Sequence, residues 1–271
     1  MGRKEFISDG LRLDGRRPKE LRRMRSQIGV LQSADGSAMF QMGNTQAPQF
    51  GAAPHRLAAA ATAARPQVLA SVFGPREVEV RSQLKTDRAI VKCEYAMAAF
   101  STGERRRRGK SDRRSTELSS VIRNTLEQTI QLEEYARSQI DVYVQVLQAD
   151  GGTRCACINA AMLALADAGI KLRDTVAACA AGYLASTPLL DMNYEEDSAG
   201  GPDVAVAYQP GLDKIVLLQM DGRLAAEAFD ECVQLAVQGC REVAAAMRKA
   251  LVGHTKALMA AGGGAAGGGR G

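Results

Sequence analysis

Apolar positions alternate through Ala89, Val91, Cys93, Tyr95 and Met97, with Lys92 and Glu94 between them, which predicts a strand with one buried face. The same two-residue period returns at Ile140, Val142, Val144 and Val146. Shorter strand signals lie at 68–73, ending at Gly74-Pro75, and near 204–208 and 215–220. The period lengthens at Leu118, Val121, Ile122, Leu126, Thr129 and Ile130, which predicts a helix. Ser115 suits its N-cap and Glu117 its first turn, so Arg113 and Arg114 are expected just ahead of the helix start. Residues 155–168 are apolar almost throughout and predict a buried helix. Phe229, Val233, Ala236, Cys240, Val243, Met247 and Leu251 keep a 3–4 spacing inside a long helix from about 224 to 260.

Asp35-Gly36 between two apolar runs is a hairpin signal. Residues 47–67 hold nine alanines and three prolines, so they predict a surface excursion between strands rather than a long helix. Gln148 to Arg154 forms a glycine turn between a predicted strand and a predicted helix, the place where backbone N–H groups can converge on an anion. Strands and helices alternate in two similar blocks, which points to an α+β or α/β fold. The expected organisation is a basic arm over 1–25, a first half over 26–150, a second half over 151–261, and a disordered glycine-rich tail over 262–271.

Charge sharpens this picture. Residues 105–114 carry seven basic side chains and one acid, a net of +6, whereas the whole 271-residue chain is +5. The first 25 residues hold nine basic and four acidic side chains. Two basic patches on a slightly acidic body suggest a polyanion held at particular places. No apolar run approaches the roughly 18–20 residues of a membrane span, and the charged N-terminal stretch is unlike a signal peptide, so neither a membrane nor export is expected. Six cysteines without a CxxC pair suggest reduced, buried thiols, and two histidines leave little for a zinc site.

The chemistry-bearing stretch is 191–203, with Asp191, Asp197 and Asp203 spaced by six residues and Glu195 and Glu196 among them. Carboxylates this dense repel one another unless solvated, metal-bound or facing cations. Beside a phosphate pocket they would suit phosphoryl chemistry, one acting as an acid and others holding Mg²⁺.

Four segments carry a resemblance: LeuAspGlyArgArgProLysGluLeuArg near the start, AlaAspGlySerAlaMetPheGlnMetGlyAsnThr, PheSerThrGlyGluArgArgArgArg, and SerGlnIleAspValTyrValGlnValLeuGlnAlaAspGlyGlyThrArg. They resemble the RNase PH family, in its branch of exosome ring subunits, over roughly 8–250 apart from the excursion. The resemblance implies an α+β unit like the second domain of ribosomal protein S5, assembled with homologous subunits into a six-membered ring around an RNA channel, with RNA-binding cap subunits. It further implies 3′→5′ processing and degradation of RNA, ribosomal RNA included, in the nucleus, nucleolus and cytoplasm. Gly152, Thr153 and Arg154 would bind inorganic phosphate. Arg113 and Arg114, with Arg81, Arg105, Arg106, Arg107 and Arg108, would hold RNA. Asp197 would protonate the leaving 3′ oxygen, and Asp203 and Asp191 would support it or position Mg²⁺. The resemblance also allows a ring subunit without catalysis, or a homohexamer trimming tRNA ends. The arginine-rich segment and the N-terminal arm favour the exosome type over the last.

Overall fold

The computed structural model describes residues 6–8, 10–43, 67–102 and 112–263. The excursion, except Gln67, lies outside them, as do Arg105 to Arg108 and the tail from 264. Two short strands, β1 (Ile7–Ser8) and β2 (Leu11–Arg12), pair in the arm. β3 (Met24–Ile28) and β4 (Gly36–Met42) form the expected hairpin, with Ile28 opposite Ala38. Its loop is longer than a two-residue Asp-Gly turn. Gly29 to Asp35 all lie outside the strands, and the Asp35 carboxylate accepts a 2.8 Å bond from the Gly74 N–H.

β5 (Gln67–Glu77) continues past Gly74-Pro75 instead of ending there. A register shift between Phe73 and Arg76 absorbs the proline, because a bulge frees one residue from the ladder. β6 (Ile90–Met97), helix α1 (Arg113–Thr129) and β7 (Ser138–Gln148) follow. The first sheet has the order β3-β4-β5-β7-β6, antiparallel except for the β6–β7 pair. α1 starts three residues earlier than the sequence suggests. Asp112 is its N-cap, accepting from the Arg114 N–H, so Arg113 and Arg114 form its first turn.

Helix α2 (Thr153–Asp167) packs on β4, β5 and β7 of the first sheet and on β8 and β10 of the second. Every residue from Cys155 to Leu165 is buried, which explains its lack of a polar face. The second sheet is antiparallel in the order β11-β10-β8-β9 and comprises β8 (Ala177–Leu184), β9 (Thr187–Leu190), β10 (Asp203–Gln209) and β11 (Lys214–Asp221). A single turn of helix, α3 (Tyr194–Asp197), stands between β9 and β10. The long α4 (Ala226–Gly263) lies against β8, β9 and β10 and reaches β3 and α2. One hydrophobic cluster runs through both halves, so α2 is the common interior on which both sheets rest.

Close approach at the end of α2 depends on a missing side chain. A Cβ at Gly36 would lie 2.3 Å from the Ala164 carbonyl oxygen and 2.3 Å from the Ala168 nitrogen, both backbone atoms that cannot turn aside. Gly36→Ala should therefore destabilise the fold by about 1–3 kcal/mol, the usual cost of overpacking. Urea denaturation measures this as a lower midpoint at unchanged slope.

Candidate active site

β7 delivers the chain to Asp150, Gly151 and Gly152, and α2 begins at the next residue. Gly151 and Gly152 both hold left-handed backbone, at φ 49° and 60°, which L side chains rarely adopt. A Cβ on Gly151 would also lie 2.3 Å from the Met192 carbonyl oxygen. Gly152 is the helix cap and offers no side-chain acceptor, so the first N–H groups of a fifteen-residue helix remain available for an anion. Arg154 stands in that first turn. Its Nη2 lies 3.4 Å from Asp221 Oδ2, while its Nε is buried with no hydrogen-bond partner among the described residues.

Asp203, the first residue of β10, sits opposite Asp221 of β11 and Gly182 of β8. Its Oδ1 is likewise buried and unpartnered among the described residues. Burial pushes its carboxyl up to about 7, the Asp197 and Asp221 charges push the same way, and Arg154 pulls back. Asp203 thus keeps its proton close to neutral pH, as a general acid requires. Asp197 closes α3 and is exposed. The structure therefore gathers Gly152, Thr153, Arg154, Asp197 and Asp203 around one end of α2. It adds Asp221, which gives no sequence signal, because only the β10–β11 register brings it opposite Asp203.

Asp191 has another occupation. Its Oδ1 accepts from Arg22 Nη2 at 2.6 Å, and its Oδ2 accepts from Arg22 Nε at 2.8 Å and from the Arg22 backbone N–H at 3.1 Å. Burial pushes this carboxyl up, but the Arg22 guanidinium outweighs it and holds the pKa below the ordinary aspartate value. Both oxygens are spent on a buried cation, so the expected pairing of Asp191 with Asp203 around Mg²⁺ is replaced by an ion pair. No group of three or more His, Cys, Asp or Glu among the described residues is arranged to hold a metal. Asp191 is engaged by Arg22, which leaves Asp203, with Asp197 and Asp221 near it, as the carboxylates that would face a Mg²⁺ brought with substrate phosphates.

The same guanidinium reaches the glycine turn. Arg22 Nη1 donates to the Asp150 carbonyl at 2.7 Å and to its carboxylate at 3.2 Å, and Nη2 donates to the Gly151 carbonyl at 3.3 Å. Arg12 holds α3 from below: its Nε donates to Glu196 Oε1 at 2.7 Å, and its Nη1 donates to the Leu190 carbonyl at 2.6 Å. Arg16 donates from Nη1 and Nη2 to the Asp191 carbonyl at 3.1 Å. The expectation that the arm is a basic patch for a polyanion fails for these three. They are buried, and they are internal counter-charges for the site. Arg113 and Arg114 remain exposed at the start of α1, and Arg81 opens a single 3₁₀ turn (Arg81–Gln83).

An α+β unit of two sheets rests on one buried helix, with a glycine turn at the helix start and a proton-holding carboxyl beside it. The model of the 3′ exoribonuclease family, domain 1, matches residues 58–171, and that of domain 2 matches 174–239. The exosome complex component RRP41 homolog of Arabidopsis thaliana is 55% identical over 256 residues, covering 94% of this chain and 97% of that protein. The exosome complex component Rrp41 of Methanopyrus kandleri is 47% identical over 243 residues, covering 90% and 92%. The solved Archaeoglobus fulgidus exosome with RNA bound to the active site contains a chain that superposes with a TM-score of 0.69 at 21% identity, covering 87% of this chain and 92% of that one. The chain belongs to the 3′ exoribonuclease family, on the side of its Rrp41 exosome components.

Two outcomes follow from the two aspartates. Arg22→Met strands Asp191 and Asp150 as buried, uncompensated carboxylates, and it should cost about 3–5 kcal/mol in urea denaturation. Asp203 gives a pH signature instead. Its carboxyl titrates near 3.8 when unfolded and near 7 when folded. Between those values the folded state holds the extra proton, so stability falls as pH rises from about 4 to 7. Asp203→Asn should flatten that decline, and thermal unfolding across this range measures the difference.

Proposed function

We propose that this chain is an exosome ring subunit that shortens RNA from its 3′ end by phosphorolysis. The observation that carries the reading is the meeting of two unpartnered buried atoms, Arg154 Nε and Asp203 Oδ1, at the open start of α2. One is a cationic donor with a free N–H. The other belongs to a carboxyl that holds a proton near neutrality. That is what transfer of a phosphodiester to inorganic phosphate needs: a place to neutralise the nucleophile and a proton for the leaving group.

In this reading inorganic phosphate binds at the Gly151–Arg154 turn, with its charge met by Arg154 and the first N–H groups of α2. Its oxygen attacks the terminal phosphorus of the RNA, the bond from phosphorus to the 3′ oxygen breaks, and the proton from the Asp197–Asp203 pair goes to that oxygen. The products are a nucleoside diphosphate and an RNA one residue shorter. Asp203 is the proton-holding member of the pair in the free protein, and the charge of Asp197 helps to keep the proton there. Arg113 and Arg114 supply one basic wall of the RNA path, and a homologous subunit in the ring supplies the other. Support for the assembly comes from the Arabidopsis and Methanopyrus relatives, which are exosome complex components, and from the Archaeoglobus exosome, which holds RNA in its active site. RNA-binding cap subunits and a nuclear, nucleolar and cytoplasmic location complete the proposal.

The test is release of nucleoside diphosphate from a 3′ RNA tail by the chain in complex with a homologous ring subunit, with and without phosphate. Wild type should release it only with phosphate. Asp203→Asn should slow the reaction about 10²–10⁴-fold, the usual worth of a general acid. Arg154→Ala should chiefly raise the phosphate concentration needed, since it removes a charge-assisted contact to that substrate. A wild-type complex that binds RNA but releases no diphosphate under either condition is a scaffold, and the catalytic reading falls.

A further inference from the structure

The two most exposed aromatic side chains among the described residues are Phe100, at 73%, and Tyr194, at 63%. One exposed apolar residue needs no explanation. These two, however, are both tied to the segment that leads into the glycine turn. Next to Phe100, the Ser101 carbonyl accepts a 2.8 Å bond from the Ala149 N–H, one residue before Asp150. The Tyr194 N–H donates to Asp150 Oδ1 at 2.8 Å, and the Met192–Asn193 backbone is packed where a Gly151 side chain would stand.

We infer that Phe100 and Tyr194 are stacking sites for nucleobases of the single-stranded RNA whose 3′ end is brought to the Gly151–Arg154 turn. The inference rests on the reading given under Proposed function. A nucleotide's base stands away from its phosphate, so groups that hold bases should flank an anion turn and not coincide with it. Both aromatics meet that condition. Tyr194 is fixed by its own backbone N–H and Phe100 through its neighbour Ser101, while both rings remain open to solvent. In that reading the turn and Arg154 hold inorganic phosphate and Arg113 and Arg114 hold the RNA backbone, and both are common to all sequences. Stacking adds affinity that is nearly as tolerant of sequence, because every base presents a π-face. A nuclease that consumes its substrate one residue at a time needs that tolerance.

The experiment compares two fluorescent RNAs of equal length, an oligoadenylate and one with abasic sugars at its three 3′-terminal positions, titrated against the full chain in complex with a homologous ring subunit. Phe100→Leu and Tyr194→Leu keep apolar bulk and remove the π-face at exposed positions, so folding is not at stake. Each should weaken oligoadenylate binding about tenfold, within the range for loss of one base–aromatic stack. Neither should change binding of the abasic RNA, and Phe100→Trp should restore oligoadenylate affinity. Equal loss with both RNAs, or unchanged affinity for oligoadenylate, overturns the stacking sites. So does an effect seen only as lost association with a homologous ring subunit, which would make the rings protein contacts. Failure of wild type to bind either RNA overturns the functional reading itself, and the stacking sites with it.

Discussion

The guanidinium of Arg22 is buried between segments that lie 128 and 169 residues away in sequence, and it donates to Asp150, Gly151 and Asp191. A cation in that position is costly unless its charge and its N–H groups are met, and here both are. The bonds run in both directions of constraint. They hold the arm onto the body, and they hold the glycine turn against the loop that carries α3. Arg12 repeats the device one step further along, where its pairing with Glu196 and the bonds from Asn193 fix the single turn that ends in Asp197. The glycine turn and the exposed Asp197 are therefore placed by buried arginines of the arm.

Rigidity on the other side of the turn comes from α2. Its first two residues belong to the candidate site, and the eleven from Cys155 to Leu165 are buried against two sheets at once. Small side chains such as Ala156, Ala160, Ala161 and Ala164 let the strands approach closely, so movement of the helix start would disturb packing in both halves. A binding site carried on the end of such a helix is more sharply defined than one carried on a loop.

Asp191 and Asp203 show how environment divides the roles of chemically identical groups. Both are withdrawn from water, which raises both carboxyls. Asp191 faces a guanidinium that reverses the effect, and it becomes a permanent anion with a structural task. Asp203 faces Asp197 and Asp221, with Arg154 only partly offsetting them, and it retains a proton. This separation of acidities within thirteen residues is the pattern that assigns acid and anion in a carboxylate-rich site.

The periodic elements were legible in the chain. Alternation located β6 and β7, an apolar stretch without a polar face located α2, and the 3–4 spacing located α4, because each pattern is imposed by burial of a local segment. The glycine turn was legible too, since Gly151 and Gly152 are there for backbone conformations that other residues avoid. Local signals misplaced the details that depend on neighbours: Asp112 and not Ser115 caps α1, and β5 runs through Gly74-Pro75 because β7 continues beside it. The site's electrostatics belonged to tertiary structure alone. Nothing near Arg12 or Arg22 in sequence distinguishes a buried counter-ion from a solvated basic arm, since their acidic and carbonyl partners lie more than a hundred residues away. Asp221 and Asp203 meet only through strand register, and it is burial first, then the charge of Asp197 and to a smaller extent that of Asp221, that lifts the Asp203 carboxyl.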